Sequence, residues 1–130
     1  MPTRIAVIDD ETVFLDLLRE LLSEEGYEPH LFSDGAASYQ RVRDLAPDAI
    51  ILDLRMESPT AGWQLLERMW QDPVLHATPV ILCSGDLPLL RERAAALQAH
   101  GCAHLAKPFD LGDLLALLEH VCGGPARASD

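Results

Sequence analysis

Short apolar runs alternate along this chain with longer segments whose apolar residues recur at helical spacing. Five of the runs have the length and the flanking turn residues of β-strands, at residues 4–8, 27–32, 49–53, 79–83 and 103–106. Each is followed by a segment with an apolar stripe, which predicts a helix. This strict alternation predicts an α/β fold, in which a five-stranded parallel sheet carries helices on both faces.

Capping residues set the expected limits of the helices. Thr12 is the predicted N-cap of the first helix, which Gly26 ends, and Asp110 is the predicted N-cap of the fifth. Gly62 begins the third helix, and the second, fourth and fifth cover residues 36–45, 88–100 and 111–122. We expect one domain over residues 1–122 and a flexible C-terminal tail over residues 123–130.

The third apolar run organises the rest of the pattern. Ala49-Ile-Ile-Leu52 runs without a break into the carboxylate of Asp53. A continuous apolar run bounded by turn signals is typical of a central parallel strand that is buried on both faces. Asp53 is therefore expected at the carboxyl edge of the sheet, where open α/β sheets bind their ligands.

Composition excludes several classes of protein. The net charge of −11 argues against nucleic acid or an anionic membrane as the main partner. No apolar run approaches the roughly 20 residues that span a bilayer, and the N-terminus does not have the pattern of a signal peptide. The three cysteines lack metal-ligand spacing, so we expect buried reduced thiols in a cytoplasmic protein.

Chemically competent side chains follow four of the five predicted strands. They are Asp9 and Asp10 after the first strand, Asp53 after the third, Ser84 after the fourth and Lys107 after the fifth. Because parallel strands point the same way, these residues share one edge of the sheet. Lys107 is the only lysine among the ten basic residues of the chain.

This group of residues suits phosphoryl chemistry. Three carboxylates in one place repel one another, and a divalent hard cation such as Mg²⁺ relieves that repulsion. A cation on one side of Asp53 and the ammonium of Lys107 on the other make a pocket for a phosphoryl group. The carboxylate of Asp53 can then attack phosphorus and form an aspartyl phosphate, to which Ser84 can donate a hydrogen bond.

The motifs Asp9-Asp10, Leu52-Asp53, Ser84-Gly85 and Lys107-Pro108-Phe109, in this order and spacing, resemble the receiver domain of two-component response regulators. The resemblance covers roughly residues 4–122. It implies a doubly wound, flavodoxin-like fold with strand order 2-1-3-4-5. It also implies that a sensor histidine kinase or a histidine phosphotransfer protein phosphorylates Asp53.

The resemblance also implies roles for individual residues. Asp10, Asp53 and the backbone carbonyl of Arg55 would bind Mg²⁺ directly, and Asp9 would bind it through a water molecule. Ser84 would be the switch hydroxyl and Lys107 the ammonium that contacts the phosphoryl group. A cis peptide bond would precede Pro108.

Two positions depart from the family pattern. The loop after Asp53 usually reads Asp-x-x-Met-Pro with a glycine four residues after the proline, whereas here the proline is displaced by two residues and the loop is one residue longer. Glu57 adds a carboxylate to this loop. At the position three residues before the lysine, where the family has an aromatic switch residue, this chain has His104, which is expected to be either a surface residue or an imidazole with the same switching role.

The resemblance also implies how the signal leaves the domain. Few residues follow the fifth helix, so we expect a stand-alone receiver that is a monomer or weak homodimer, with no catalysis beyond its own phosphorylation and dephosphorylation. Its downstream protein target would contact the face made by helix 4, strand 5 and helix 5. The side chains expected on that face are Arg91, Arg93, His100, His104, Asp113 and His120.

Three other functions fit parts of the pattern. A phosphorylation-independent pseudo-receiver, acting as a protein interaction module, would explain the altered loop and His104. A phosphatase that works through an aspartyl phosphate typically has a second Asp two residues after the nucleophile, where this chain has Arg55. A flavin-binding relative of flavodoxin would need Ser, Thr or Gly in the loop after strand one, which is acidic here.

Overall fold

The computed structural model describes residues 2–54, 56, 58 and 60–125. Five strands and five helices alternate along them. The strands are β1 (Arg4–Ile8), β2 (Glu28–Phe32), β3 (Ala49–Asp53), β4 (Val80–Ser84) and β5 (Ala103–Ala106). The helices are α1 (Thr12–Glu24), α2 (Gly35–Leu45), α3 (Ala61–Gln71), α4 (Leu87–Ala99) and α5 (Leu111–Cys122).

The strands form one parallel sheet in the order β2-β1-β3-β4-β5, which confirms the predicted fold. Every residue of β3 is buried, because apolar layers cover both faces of the sheet. One layer contains residues of α2, α3 and α4, and the other contains residues of α1 and α5. The carboxyl ends of the strands are thereby fixed at one edge, with Asp53 opposite Cys83 and Ser84 opposite Ala106.

Local hydrogen bonds shift several predicted boundaries. Thr12 is not the N-cap of α1: it is the first helical residue, and Glu11 occupies the cap position without a side-chain hydrogen bond. The Glu11 N–H instead donates to the Asp9 carboxylate at 2.9 Å, so the turn before the helix is held by the acidic pair. The prediction that Asp110 caps α5 is confirmed, since its carboxylate accepts a hydrogen bond from Gly112 N–H.

Five other elements start or end one residue from the prediction: β2, α2, α3, β4 and α4. β4 extends to Ser84 because that residue still pairs with Ala106 in β5. α4 begins at Leu87, because Asp86 is its N-cap and accepts a hydrogen bond from Leu89 N–H. The predicted cis peptide bond between Lys107 and Pro108 is present.

Gly62 brings α3 directly against the end of β3. A methyl group built on its Cα would overlap the carbonyl oxygens of Asp53 and Leu54. No side chain fits in this space, so the absence of a Cβ sets how closely the chain returns to the strand after the loop. The first turn of α3 therefore packs directly against the backbone that carries Asp53.

Asp72, just beyond α3, ties that helix to α2. Its carboxylate accepts hydrogen bonds from the Tyr39 hydroxyl at 2.7 Å, from Arg43 Nε at 3.2 Å and from Val74 N–H at 2.7 Å. The hydrogen bond from Tyr39 and those from Val74, Arg43 and Leu75 lower the pKa of Asp72 to about 2. The ionised carboxylate is the form that holds this junction together.

A row of rings joins α3 to α4. Trp63 and Trp70 make an edge-to-face contact with ring centroids 5.7 Å apart, and Trp70 stacks on His100 at 3.7 Å. The Arg93 guanidinium carbon lies 4.6 Å from the Trp63 ring centroid. The two tryptophans therefore act in packing, as their spacing along the helix indicates.

The three cysteines are free thiols, of which Cys83 alone is fully buried and Cys102 and Cys122 are half-buried. Among the residues that the structure describes, no helix has the length and apolar character needed to span a bilayer.

Replacement of Gly62 by Ala is expected to lower the free energy of unfolding by about 3 kcal/mol, the upper end of the usual cost of overpacking. The reason is that backbone carbonyl groups, which cannot rotate away as a side chain would, surround the added methyl group. Urea unfolding followed by far-UV circular dichroism measures the change. The matched control is Gly85→Ala, since nothing lies within 4 Å of a methyl group at that position. Equal unfolding midpoints for the two variants would contradict the packing argument.

The Asp72 junction predicts a specific pH dependence. Because folding depresses this pKa from 3.8 to about 2, the stability it confers is fully present above about pH 4 and is lost as the pH falls through about 2. The difference in unfolding free energy between the wild type and Asp72→Asn should therefore narrow over that window. Urea titrations at a series of pH values test this, and a difference that is constant with pH would show that the charge of Asp72 does not matter.

Candidate functional site

Three carboxylates meet at the carboxyl edge of the sheet. Asp9 follows β1, Asp10 comes next in the chain, and Asp53 ends β3, the neighbour of β1 in the sheet. One carboxylate oxygen from each lies within 4.8 Å of the others. Asp9 and Asp53 are buried, with 1% and 7% of their surface exposed, whereas Asp10 is exposed. The cluster therefore opens to solvent on the Asp10 side.

Lys107 brings a positive charge to these carboxylates from the end of β5. Its Nζ donates to Asp9 Oδ2 at 2.7 Å and lies 3.7 Å from Asp53 Oδ2 and 3.5 Å from Glu11 Oε1. The Lys107 backbone N–H donates to the Ser84 carbonyl oxygen at 2.7 Å, which fixes the residue against the end of β4.

Lys107 remains charged because of its neighbours. Burial lowers its pKa, but the hydrogen bond to Asp9 and the charges of Asp53, Asp9 and Glu11 outweigh this effect and raise the pKa above its ordinary value. One ammonium group still balances only one of the three clustered negative charges.

Ser84 is the fifth member of the site. It is buried, with 1% of its surface exposed, and its hydroxyl oxygen accepts a hydrogen bond from Asp86 N–H at 3.0 Å. That hydrogen bond links the site to the start of α4, since Asp86 is the N-cap of the helix. The hydroxyl proton remains available to a new acceptor.

A single cavity of about 600 Å³ contains these groups. Asp53, Ser84 and Lys107 line it together with acidic residues at its rim and an apolar wall. The acidic residues are Asp10, Glu11 and Asp86, and the wall includes Phe14, Leu17, Pro108, Phe109 and Leu111. The cavity therefore connects Asp53 to the solvent.

The apolar wall includes a residue that the sequence pattern assigned only to the core stripe of α1. The Phe14 ring centroid lies 4.0 Å from Lys107 Nζ, and the ring of Phe109 meets Phe14 edge-on with centroids 6.1 Å apart. Sequence position could have indicated that both rings lie near the site, since Phe14 lies one turn beyond the acidic pair and Phe109 lies two residues after the lysine.

Some predicted site residues lie elsewhere. His104 is exposed on β5, beside a separate small pocket lined by Leu87, Leu90 and Ala106. It does not take part in the carboxylate cluster. Arg55, whose carbonyl is a predicted ligand, and Glu57 lie outside the described residues.

The arrangement has two chemical capabilities. Oxygen donors with a net negative charge suit a hard divalent cation, so Asp9, Asp10 and Asp53 could hold Mg²⁺. Asp53 is also a nucleophile next to an ammonium group that can balance charge on an incoming phosphoryl oxygen. Cys83, its partner in β4, is not a competing nucleophile, because burial raises the pKa of that thiol to about 12.

A family model described as response regulator receiver domain matches residues 5–119. Among curated proteins, the chain is 34% identical over 124 residues to response regulator MprA of Mycobacterium sp. (strain KMS) and 33% identical to that of Mycobacterium tuberculosis (strain ATCC 25177 / H37Ra). Each match covers 89% of this chain and 49% of the relative. The chain therefore spans about half the length of these relatives.

Solved structures share the fold. A putative response regulator from Chloroflexus aurantiacus J-10-fl superposes with a TM-score of 0.81 at 25% identity, covering 95% of this chain and 99% of the other. The receiver domain of a sensor histidine kinase from Pseudomonas aeruginosa PAO1 has a TM-score of 0.79 at 22% identity, covering 94% and 98%. In that Pseudomonas structure a magnesium ion is coordinated in the active site cleft.

The carboxylate cluster predicts that Asp10→Asn stabilises the metal-free protein, by on the order of 0.5–1 kcal/mol, because it removes one of the repelling charges. Urea unfolding in the presence of EDTA measures the effect, and added salt should reduce it by screening. Glu20→Gln, at an exposed position of α1, is the matched control with the same change in net charge. Equal stabilisation of the two variants would show that overall charge, not local repulsion, is responsible.

Proposed function

This chain belongs to the response regulator receiver domain family, and we propose that it is a phosphoacceptor whose Asp53 receives a phosphoryl group from a histidine kinase or a histidine phosphotransfer protein. The observation that carries the proposal is the position of Asp53. It lies at the base of the cavity, within reach of two further carboxylates and 3.7 Å from the ammonium of Lys107.

The proposal includes a magnesium ion. Asp10 and Asp53 would bind it directly, Asp9 would bind it through a water molecule, and the Arg55 carbonyl would complete the protein ligands. The clustered oxygen donors support this, as does the chemistry of the site, in which one lysine faces several carboxylates. When bound, the ion would balance negative charge on the phosphoryl oxygens and on Asp53.

The transfer step uses this chain's own residues as follows. A carboxylate oxygen of Asp53 forms a bond to phosphorus as the bond from phosphorus to the donor breaks, and the donor leaves with that electron pair. When the donor is phosphohistidine, the leaving group is the imidazole. Lys107, which already lies between Asp9 and Asp53, would pair with a phosphoryl oxygen, and the Ser84 hydroxyl would donate to another.

Ser84 offers a route from this step to the output surface. Movement of its hydroxyl toward the phosphoryl group would alter the hydrogen bond from Asp86 N–H, at the residue that caps α4. We therefore propose that the signal leaves through protein contacts of α4, β5 and α5, in the cytoplasm. His104 lies on that face and is exposed.

The exposure of His104 also favours a second candidate function, a phosphorylation-independent interaction module. If the chain is a phosphoacceptor, Mg²⁺ with beryllofluoride, a phosphoryl mimic, should shift the amide resonances of β4, α4 and β5. If it is a phosphorylation-independent module, the same addition should leave these resonances unchanged, and its affinity for a partner should be the same with and without phosphodonor.

The phosphoacceptor function predicts a direct result. Incubation with Mg²⁺ and acetyl phosphate should add the mass of one phosphoryl group to the wild type, because the buried carboxylate of Asp53 lines the cavity and lies 3.7 Å from the ammonium of Lys107. Asp53→Asn should not gain this mass, and EDTA should suppress the gain in the wild type. Intact-mass spectrometry measures each outcome.

Glu11→Gln is the matched control for this experiment. It removes a carboxylate at the rim of the same cavity, 3.5 Å from Lys107 Nζ, but leaves Asp53 in place, so it should still be phosphorylated. An unmodified wild type, or an Asp53→Asn protein that still gains the phosphoryl group, would refute the proposal.

A further inference from the structure

Lys107 has one neighbour in the site that carries no charge. Its Nζ lies 4.0 Å from the centroid of the Phe14 ring, which is the distance of a cation–π contact. Phe14 is in the first turn of α1, and Phe109 packs against it edge-on, with an interplanar angle of 87°. Neighbouring aromatic packing therefore fixes the ring that contacts the ammonium.

The Phe14 ring can fix the position of the ammonium, which the carboxylates alone do not. Lys107 has carboxylate oxygens of Asp9, Glu11 and Asp53 between 2.7 and 3.7 Å from its Nζ, so charge alone does not fix which of them it pairs with. A lysine side chain also has about 2 kcal/mol of rotamer entropy to lose when it is held in place. The face of an aromatic ring attracts the ammonium without consuming any of its three N–H donors.

We propose that Phe14 is a positioning residue, whose ring holds the ammonium of Lys107 beside the cavity so that the N–H groups not donated to Asp9 are available to a phosphoryl oxygen on Asp53. The inference rests on the proposed phosphoacceptor function. Because the ammonium is kept between Asp9 and Asp53, it needs to move only a short distance to reach the phosphoryl group. A disordered lysine side chain would first have to lose its conformational freedom. The contact between Phe14 and Phe109 keeps the ring in place during that movement.

The only lysine of the chain provides a probe of this contact that does not depend on activity. Growth on ¹³C-lysine labels Lys107 alone, and its ε-methylene signal should lie upfield of the free-lysine position because of the Phe14 ring current. Phe14→Leu should abolish the upfield shift, whereas Phe14→Trp and Phe14→Tyr should retain it. An unshifted signal in the wild type would overturn the inference.

Kinetics test the consequence of the contact. With Mg²⁺ and acetyl phosphate, the initial rate of phosphorylation of Phe14→Leu should fall roughly two- to tenfold, the range that corresponds to loss of one cation–π contact. Phe14→Trp and Phe14→Tyr should restore the rate. Val13→Ala, at an exposed position of the same helix outside the cavity wall, is the control for a shortened apolar side chain and should keep the wild-type rate.

The outcomes separate the two proposals. A wild type that is not phosphorylated refutes the phosphoacceptor function, while the lysine signal still decides whether Phe14 holds Lys107. A phosphorylated wild type whose rate is matched by Phe14→Leu overturns the positioning role. If the leucine variant proves unfolded by circular dichroism, the lysine signal of the wild type decides, because an ammonium that does not lie over the Phe14 ring shows no upfield shift.

Discussion

The ion pair between Lys107 and Asp9 is the interaction on which the geometry of the site depends. It joins residues 98 positions apart in the chain and connects the end of β5 to the end of β1. β3 and β4 lie between those two strands in the sheet, so the pair closes over Asp53 and Ser84. Its strength comes from an excess of buried negative charge, which costs stability in itself. Within the site, Lys107 therefore balances one of the negative charges of the carboxylate cluster.

Much of this arrangement could be predicted from the sequence, because its causes are periodic. An unbroken apolar run requires burial on both faces, and parallel strands bring their ends to one edge. Those two facts place Asp53, Asp9 and Ser84 together without knowledge of any side-chain contact. The boundaries were less accurate where side chains compete for the same backbone groups. Thr12 resembles a cap in the sequence, but the Asp9 carboxylate accepts the Glu11 N–H and the helix starts without the threonine hydroxyl.

The contacts of Phe14 and Asp72 could not be predicted from the sequence for a different reason. Both depend on where a side chain ends relative to an element distant in the chain. Phe14 fits the core stripe of α1 equally well whether or not an ammonium lies over its ring. Asp72 resembles an ordinary helix-terminating residue, and only the packing of α2 against α3 brings Tyr39 and Arg43 to it. Periodicity predicts which face of a helix is buried, but it does not predict which side-chain atoms form contacts with each other.

Gly62 has a consequence for how this part of the chain can vary. The close contact of its Cα with the end of β3 fixes the point at which the chain must return, but not the number of residues that precede it. In general, lengthening a loop by one residue costs little entropy. A change of length between Asp53 and Gly62 must keep Leu54 and Met56 in the core, whereas the position of Gly62 itself admits no side chain. Sequences that diverge over time can therefore change the length of this segment without displacing the end of β3, provided that the glycine is kept.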